Sequence, residues 1–88
     1  MLPSQLLANK ENWTIGVYAR DRNGREVRFS SETAFSFCIN GACKRCGADR
    51  MKLLPIIKTR GFNNVIRFND HPETTYEDVL SVLQEAGL

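Results

Sequence analysis

The stretch Trp13-Thr14-Ile15-Gly16-Val17-Tyr18-Ala19-Arg20-Asp21-Arg22-Asn23-Gly24-Arg25-Glu26-Val27-Arg28-Phe29-Ser30 decides the fold, because its apolar residues recur at every second position on both sides of a turn signal. Trp13, Ile15, Val17 and Ala19 alternate with Thr14, Gly16, Tyr18 and Arg20, and Val27 and Phe29 alternate with Glu26 and Arg28. A period of two sends successive side chains to opposite faces, so residues 13–30 read as a β-hairpin. A two-residue Asn23-Gly24 loop would set Tyr18 opposite Phe29 and Ala19 opposite Arg28, mixing the faces. A three-residue loop, Arg22-Asn23-Gly24, sets Ala19 opposite Val27 and Val17 opposite Phe29. It also puts Gly24 where that loop class needs a positive φ, so the three-residue loop is expected. The polar face then carries Tyr18, Arg20, Glu26 and Arg28, with Arg22 and Arg25 near the tip.

Helical signals flank the hairpin. Residues 3–12 read as a short helix, with Pro3 in its first turn and Leu6 and Leu7 as its apolar contact. After the hairpin, Ser30 and Ser31 can cap a helix over about residues 31–46, with Glu32 in its first turn and Gly47 as its stop. Phe35, Cys38, Ile39, Ala42 and Cys46 recur there at helical spacing, and Gly41 and Ala42 are small enough to let another element come close. Pro55 interrupts the apolar run Leu53-Leu54-Pro55-Ile56-Ile57 and is expected near the start of a helix over 55–60, stopped by Gly61. Phe62, Val65 and Ile66 fit either one more helical turn or a short extended segment. The last helix, 75–86, opens on the capping box Thr74-Thr75-Tyr76-Glu77 and carries Tyr76, Val79, Leu80 and Leu83 as its apolar stripe. The expected fold is α+β, one β-hairpin packed against three to four helices in a single domain, 1–88.

With 88 residues there is room for one core. Hydrophobic residues at 42% and charged residues at 25% argue against a disordered chain. No run of eighteen apolar residues exists, and Met1-Leu2-Pro3-Ser4 lacks the basic start and apolar stretch of a signal peptide. Three cysteines are an odd count for a disulfide framework, which points to free thiols in the reducing cytoplasm. Charge is lopsided: residues 1–68 carry all twelve Lys and Arg against five acids, a net +7, whereas residues 69–88 carry five acids and no base, a net −5.

Two motifs invite a chemical function. Cys38, Cys43 and Cys46 have a C-x4-C-x2-C spacing that resembles the cluster loop of plant-type two-iron ferredoxins, but that chemistry needs a fourth cysteine and the chain has three. A zinc site of Cys38, Cys43, Cys46 and His71 is the alternative, since zinc accepts thiolate and imidazole. On a continuous helix Cys38 and Cys43 would stand about 140° apart, so they could not share one ion, and the cysteines are read as small apolar residues. Cys38 with His71 and Asn69 or Asp70 also matches the residue types of a thiol nucleophile, its base and its orienter. A cysteine among Phe35, Phe37 and Ile39 is more simply buried and inert, so neither an enzyme nor a cofactor is expected. The arginines Arg20, Arg22, Arg25 and Arg28 beside Tyr18 could grip phosphates while the ring stacks on a base, although the acidic last segment competes with nucleic acid for that surface.

Three blocks then line up in order. Trp13-Thr14-x-Gly16-x-x-Ala19-Arg20-Asp21-x-x-Gly24-x-x-Val27 is followed by Cys38-x-x-Gly41-Ala42 and by Phe68-Asn69-Asp70-x-Pro72-x-Thr74 leading into Val79-Leu80. Over roughly residues 5–87 this pattern resembles a family of small bacterial and phage proteins catalogued only as a domain of unknown function. The resemblance implies an intracellular protein in which Cys38 and Asn69-Asp70 occupy recurrent family positions, and it supplies no activity; Cys43 and Cys46 fall outside the pattern.

The expected function is a non-enzymatic protein-binding module, phage-derived and acting on a host or partner protein by charge-complementary docking. The contacts expected are Tyr18, Arg20, Arg22, Arg25 and Arg28 toward an acidic surface, or Glu77 and Asp78 of the last helix toward a basic one. Cys38, Asn69 and Asp70 are the expected ligand pocket. Nucleic-acid binding through the arginine hairpin and a small zinc-binding or cysteine-dependent protein are the alternatives, and a homodimer would help so short a chain bury its apolar surface.

Overall fold

The computed structural model describes all residues from 1 to 88. Helix α1, Pro3–Leu6, is shorter than expected, and the chain takes a separate 3-10 turn at Lys10–Asn12. The interruption has a tertiary cause. Leu7 is fully buried, and its carbonyl accepts the Tyr76 hydroxyl at 2.6 Å, so it serves the last helix instead of continuing its own. Ser4 donates through both its backbone N–H and its hydroxyl to the Leu88 carbonyl, tying the two ends of the chain together.

Two short strands form the sheet. Strand β1, Ala19–Arg20, pairs antiparallel with β2, Ser36–Phe37, matching Ala19 with Phe37 and Arg20 with Ser36. On its other side β1 meets the hairpin return: Arg20 bridges Glu26, the Val27 N–H donates to the Ala19 carbonyl, and the Asp21 N–H to the Arg25 carbonyl. The loop has the three-residue form, with Gly24 at φ 82°. Pairing ends at Val27, so the long hairpin over 13–30 is corrected to a short one. Its first strand breaks as well, because Ile15–Tyr18 bends into an arch, with Gly16 at φ 83°.

The expected helix over 31–46 is also corrected. Only its second half, α2 at Ile39–Cys46, is helical. The Ser31 hydroxyl accepts the Thr33 N–H in a local turn, and Arg45 donates to the carbonyls of Phe29 and Ser31, which uses this segment's polar groups outside a helix. Cys38 takes the N-cap instead, its Sγ accepting the Gly41 N–H at 3.3 Å, and Gly47 closes α2 in the left-handed conformation. Gly41 is where α2 and the end of the arch touch: a Cβ there would lie 2.0 Å from the Tyr18 carbonyl oxygen.

Helix α3, Leu54–Thr59, follows a 3-10 turn at Arg50–Leu53 and carries Pro55 in its first turn. The segment left open between a helical turn and extended chain is helix α4, Val65–Asp70, capped by the Asn64 side chain, which accepts the Arg67 N–H. Helix α5, Tyr76–Glu85, has its capping box one residue later than expected, between Thr75 and Asp78, because Thr74 closes a turn onto the His71 carbonyl. Its buried face adds Val82 to Tyr76, Val79 and Leu83. The architecture is thus α+β: a small antiparallel sheet against five helices, with Leu7, Ile39, Ala42, Leu53, Ile57, Phe68 and Leu83 central to one core. None of its helices is long and apolar enough to cross a membrane.

Candidate functional site

Asn69, on the last turn of α4, joins three parts of the chain. Its Oδ1 accepts the Trp13 indole N–H at 2.8 Å and the Ile39 backbone N–H at 3.0 Å. Its Nδ2 donates to the Thr14 carbonyl at 3.1 Å and to Asp70 Oδ1 at 2.8 Å. Both lone pairs and both amide hydrogens are used, so Asn69 is saturated and structural. Asp70 Oδ1 also accepts the Gly16 N–H at 3.1 Å, and this pins the Ile15–Tyr18 arch over the start of α2. The arch is held from its other side by Arg20, which donates to Thr14 Oγ1 and to the Ile15 and Gly24 carbonyls.

Between the arch, the N-terminus of α2 and the end of α4 lies a cleft of about 270 Å³, lined by Gly16, Val17, Tyr18, Glu26, Cys38, Asn40, Ile66, Asn69 and Asp70. The structure therefore brings Cys38, Asn69 and Asp70 into one wall. Asn40 belongs to that wall and to a smaller neighbouring depression with Arg50, Met51 and Leu54. Asn40 is 3% exposed, and its Oδ1 has no hydrogen-bond partner in the protein. A buried amide oxygen left unpaired costs about 1–3 kcal/mol, so a fold that keeps one needs a reason.

Cys38 is buried, and burial pushes its thiol pKa above the ordinary value. The Gly41 and Asn40 amides pull against that shift, and the Asp70 carboxylate adds to it. The thiol is a neutral part of the wall at pH 7. His71 is directed elsewhere, its ring edge-on to Phe62 at 5.2 Å and its Nδ1 accepting the Glu73 N–H. Cys43 lies in the core, where burial raises its pKa to about 11, and Cys46 sits half-buried at the end of α2. No three His, Cys, Asp or Glu side chains are grouped so as to hold a metal ion.

The arginine cluster divides. Arg20 points inward to its three acceptors, and Arg22 stacks on Phe35 with its guanidinium 4.3 Å from the ring centre. Arg25 and Arg28 are exposed, and Tyr18 is a rim residue of the cleft. On α5 Asp78 is spent on the helix cap and Glu77 is exposed. Gly16, Val17, Glu26, Asn40 and Ile66 are the site residues that sequence reasoning missed. The signal at Asn40 was its place as the one polar residue in the apolar run Cys38-Ile39-Asn40-Gly41-Ala42.

Fold and site define a small α+β domain with a cleft built from four separate segments. The chain belongs to a family of unknown function, DUF6197, whose profile matches residues 4–87. No curated protein and no solved structure matches it.

Proposed function

We propose that the protein is a non-enzymatic binding module that docks on a protein partner through this cleft and its rim. The observation that carries the proposal is the Asn40 carboxamide, enclosed in the cleft wall with its oxygen unpaired. A hydrogen-bonding guest would supply the missing partner, and holding the group ready costs the free protein stability. Size points the same way. Drug-sized ligands occupy roughly 300–1,000 Å³, so a cleft of about 270 Å³ suits one inserted side chain better than a cofactor. Around it Ile15, Tyr18 and Ile66 are exposed apolar side chains, and Arg28, in a depression shared with Tyr18 and Glu26, with exposed Arg25 on the same hairpin, supports steering of an acidic region of the partner.

A thiol kept protonated by burial, with the one imidazole turned away, supports a binding role over a catalytic one. Three free cysteines support a reducing, cytoplasmic setting, and a phage-derived module acting on a host protein fits that setting. Nucleic acid is the weaker alternative, because Arg20 and Arg22 are engaged within the fold.

The test is capture from cytoplasmic extract by the immobilised protein. A discrete protein retained by wild type, lost with Asn40→Leu, and bound with weaker salt dependence by the Arg25→Ala/Arg28→Ala variant is the expected result. Equal retention by wild type and Asn40→Leu would remove the cleft from the account.

A further inference from the structure

The cleft has a sign of charge as well as a shape. Glu26 and Asp70 contribute carboxylates to its lining, and none of its nine lining residues is Lys or Arg. The chain has twelve basic residues, yet its one ion pair is Arg60–Glu85 at 3.5 Å, so neither cleft carboxylate has a cationic partner. Of the nearby cations, Arg28 and Arg67 line adjoining depressions beside Glu26 and Asp70 without pairing with them, and two others are engaged within the fold. Arg20, whose guanidinium passes beside Gly16, is committed to three acceptors, and Lys44 Nζ lies 5.8 Å from the ring centres of Tyr18 and Phe29.

Resting on the binding role proposed above, we infer that the cleft takes an arginine side chain presented by the partner protein. The guanidinium is planar and offers five N–H donors and no acceptor. The wall offers acceptors to match: Glu26, the Asp70 carboxylate and Asn40 Oδ1. The Asn40 carboxamide is part of that wall, its oxygen buried and without a partner in the protein. Val17, Tyr18 and Ile66 line the approach for the guest's methylene stem, and the Tyr18 ring offers a face for the cation. An anionic guest would meet two like charges in the same space, and a neutral one would leave both carboxylates unpaired.

The test is an NMR titration of the isotopically labelled whole chain with four blocked tripeptides, alanyl-X-alanine, where X is arginine, citrulline, lysine or glutamate. Citrulline keeps the shape of arginine without its charge. The arginine peptide is expected to give saturable shifts at Gly16, Asn40, Asn69 and Asp70, with a Kd in the millimolar range for so small a fragment. Citrulline is expected to bind at least about ten-fold more weakly, and Glu26→Gln and Asp70→Asn each to weaken arginine by roughly ten-fold, as loss of a charge-assisted hydrogen bond implies. Asp70→Asn keeps the acceptor oxygen that holds the arch, the Glu26 side chain makes no hydrogen bond within the protein, and the spectrum itself reports whether each fold is intact. Saturable binding of citrulline, lysine or glutamate as tight as that of arginine would overturn the guanidinium assignment while leaving the cleft a binding site. Absence of saturable shifts with all four peptides would overturn the inference, and the capture experiment would then decide the binding role separately.

Discussion

The Asn69 carboxamide oxygen accepts the Trp13 indole N–H at 2.8 Å across 56 residues of sequence. The same oxygen accepts the first backbone N–H of α2, so one atom sets the end of α4, the start of α2 and the segment before the arch. Asn69→Leu removes all four hydrogen bonds of this hub and leaves the Trp13 and Ile39 N–H groups without their acceptor. Equilibrium unfolding in urea should show a loss of about 3 kcal/mol or more. A loss below about 1 kcal/mol would mean that the three segments are held by packing alone.

Gly41→Ala should destabilise although Gly41 is helical and alanine is the better helix former by about 1 kcal/mol. The added methyl carbon would fall 2.0 Å from the Tyr18 carbonyl oxygen, which is backbone and cannot swing aside. A net cost of about 1–3 kcal/mol is expected by thermal unfolding, with shifted amide resonances along β1 and the arch.

Arg20→Ala and Arg28→Ala should behave oppositely. Arg20 donates three hydrogen bonds that hold the arch and the turn, so its loss should cost about 2 kcal/mol of stability. Arg28 is exposed, and its loss should leave stability unchanged to within about 0.5 kcal/mol. Paired unfolding curves check both.

The buried thiols give the stability a fixed direction with pH. In the unfolded chain Cys43 titrates near its ordinary 9.0, and in the fold near 11. Below pH 9 both states keep the proton and stability is unaffected; between those values only the unfolded state loses it, so stability falls as pH rises. The slope should approach about 1.4 kcal/mol per pH unit from this group, and Cys43→Ala should flatten it. Under native conditions at pH 7.5, half-buried Cys46 should be alkylated well before Cys38 and Cys43, read by mass spectrometry.

Where local chemistry dominates, the fold was legible. Gly24 and the alternation around it determine the three-residue loop, and Pro55 and Gly47 mark helix ends that the structure contains. Ser31 was misleading because its hydroxyl serves a local turn, a choice made by Arg45 holding the Phe29 and Ser31 carbonyls from fourteen or more residues away. The arch was invisible for a similar reason. Ile15 and Val17 alternate as a strand should, yet Gly16 is drawn out by Asp70, fifty-four residues along the chain. Cys38, Asn69 and Asp70 could be named from the sequence, but Asn40 acquires its meaning only from what fails to reach it in three dimensions.

The most direct measurement of the cleft's role is thermal unfolding of wild type and Asn40→Leu, each with and without the arginine tripeptide. Leucine matches asparagine in shape and removes the unpaired amide, so the free variant should unfold higher, by about 1 kcal/mol or roughly 4–8 °C for a domain this small. Added peptide should raise the wild-type midpoint and leave the variant's in place. A variant that unfolds lower than wild type and still gains from the peptide would contradict the account.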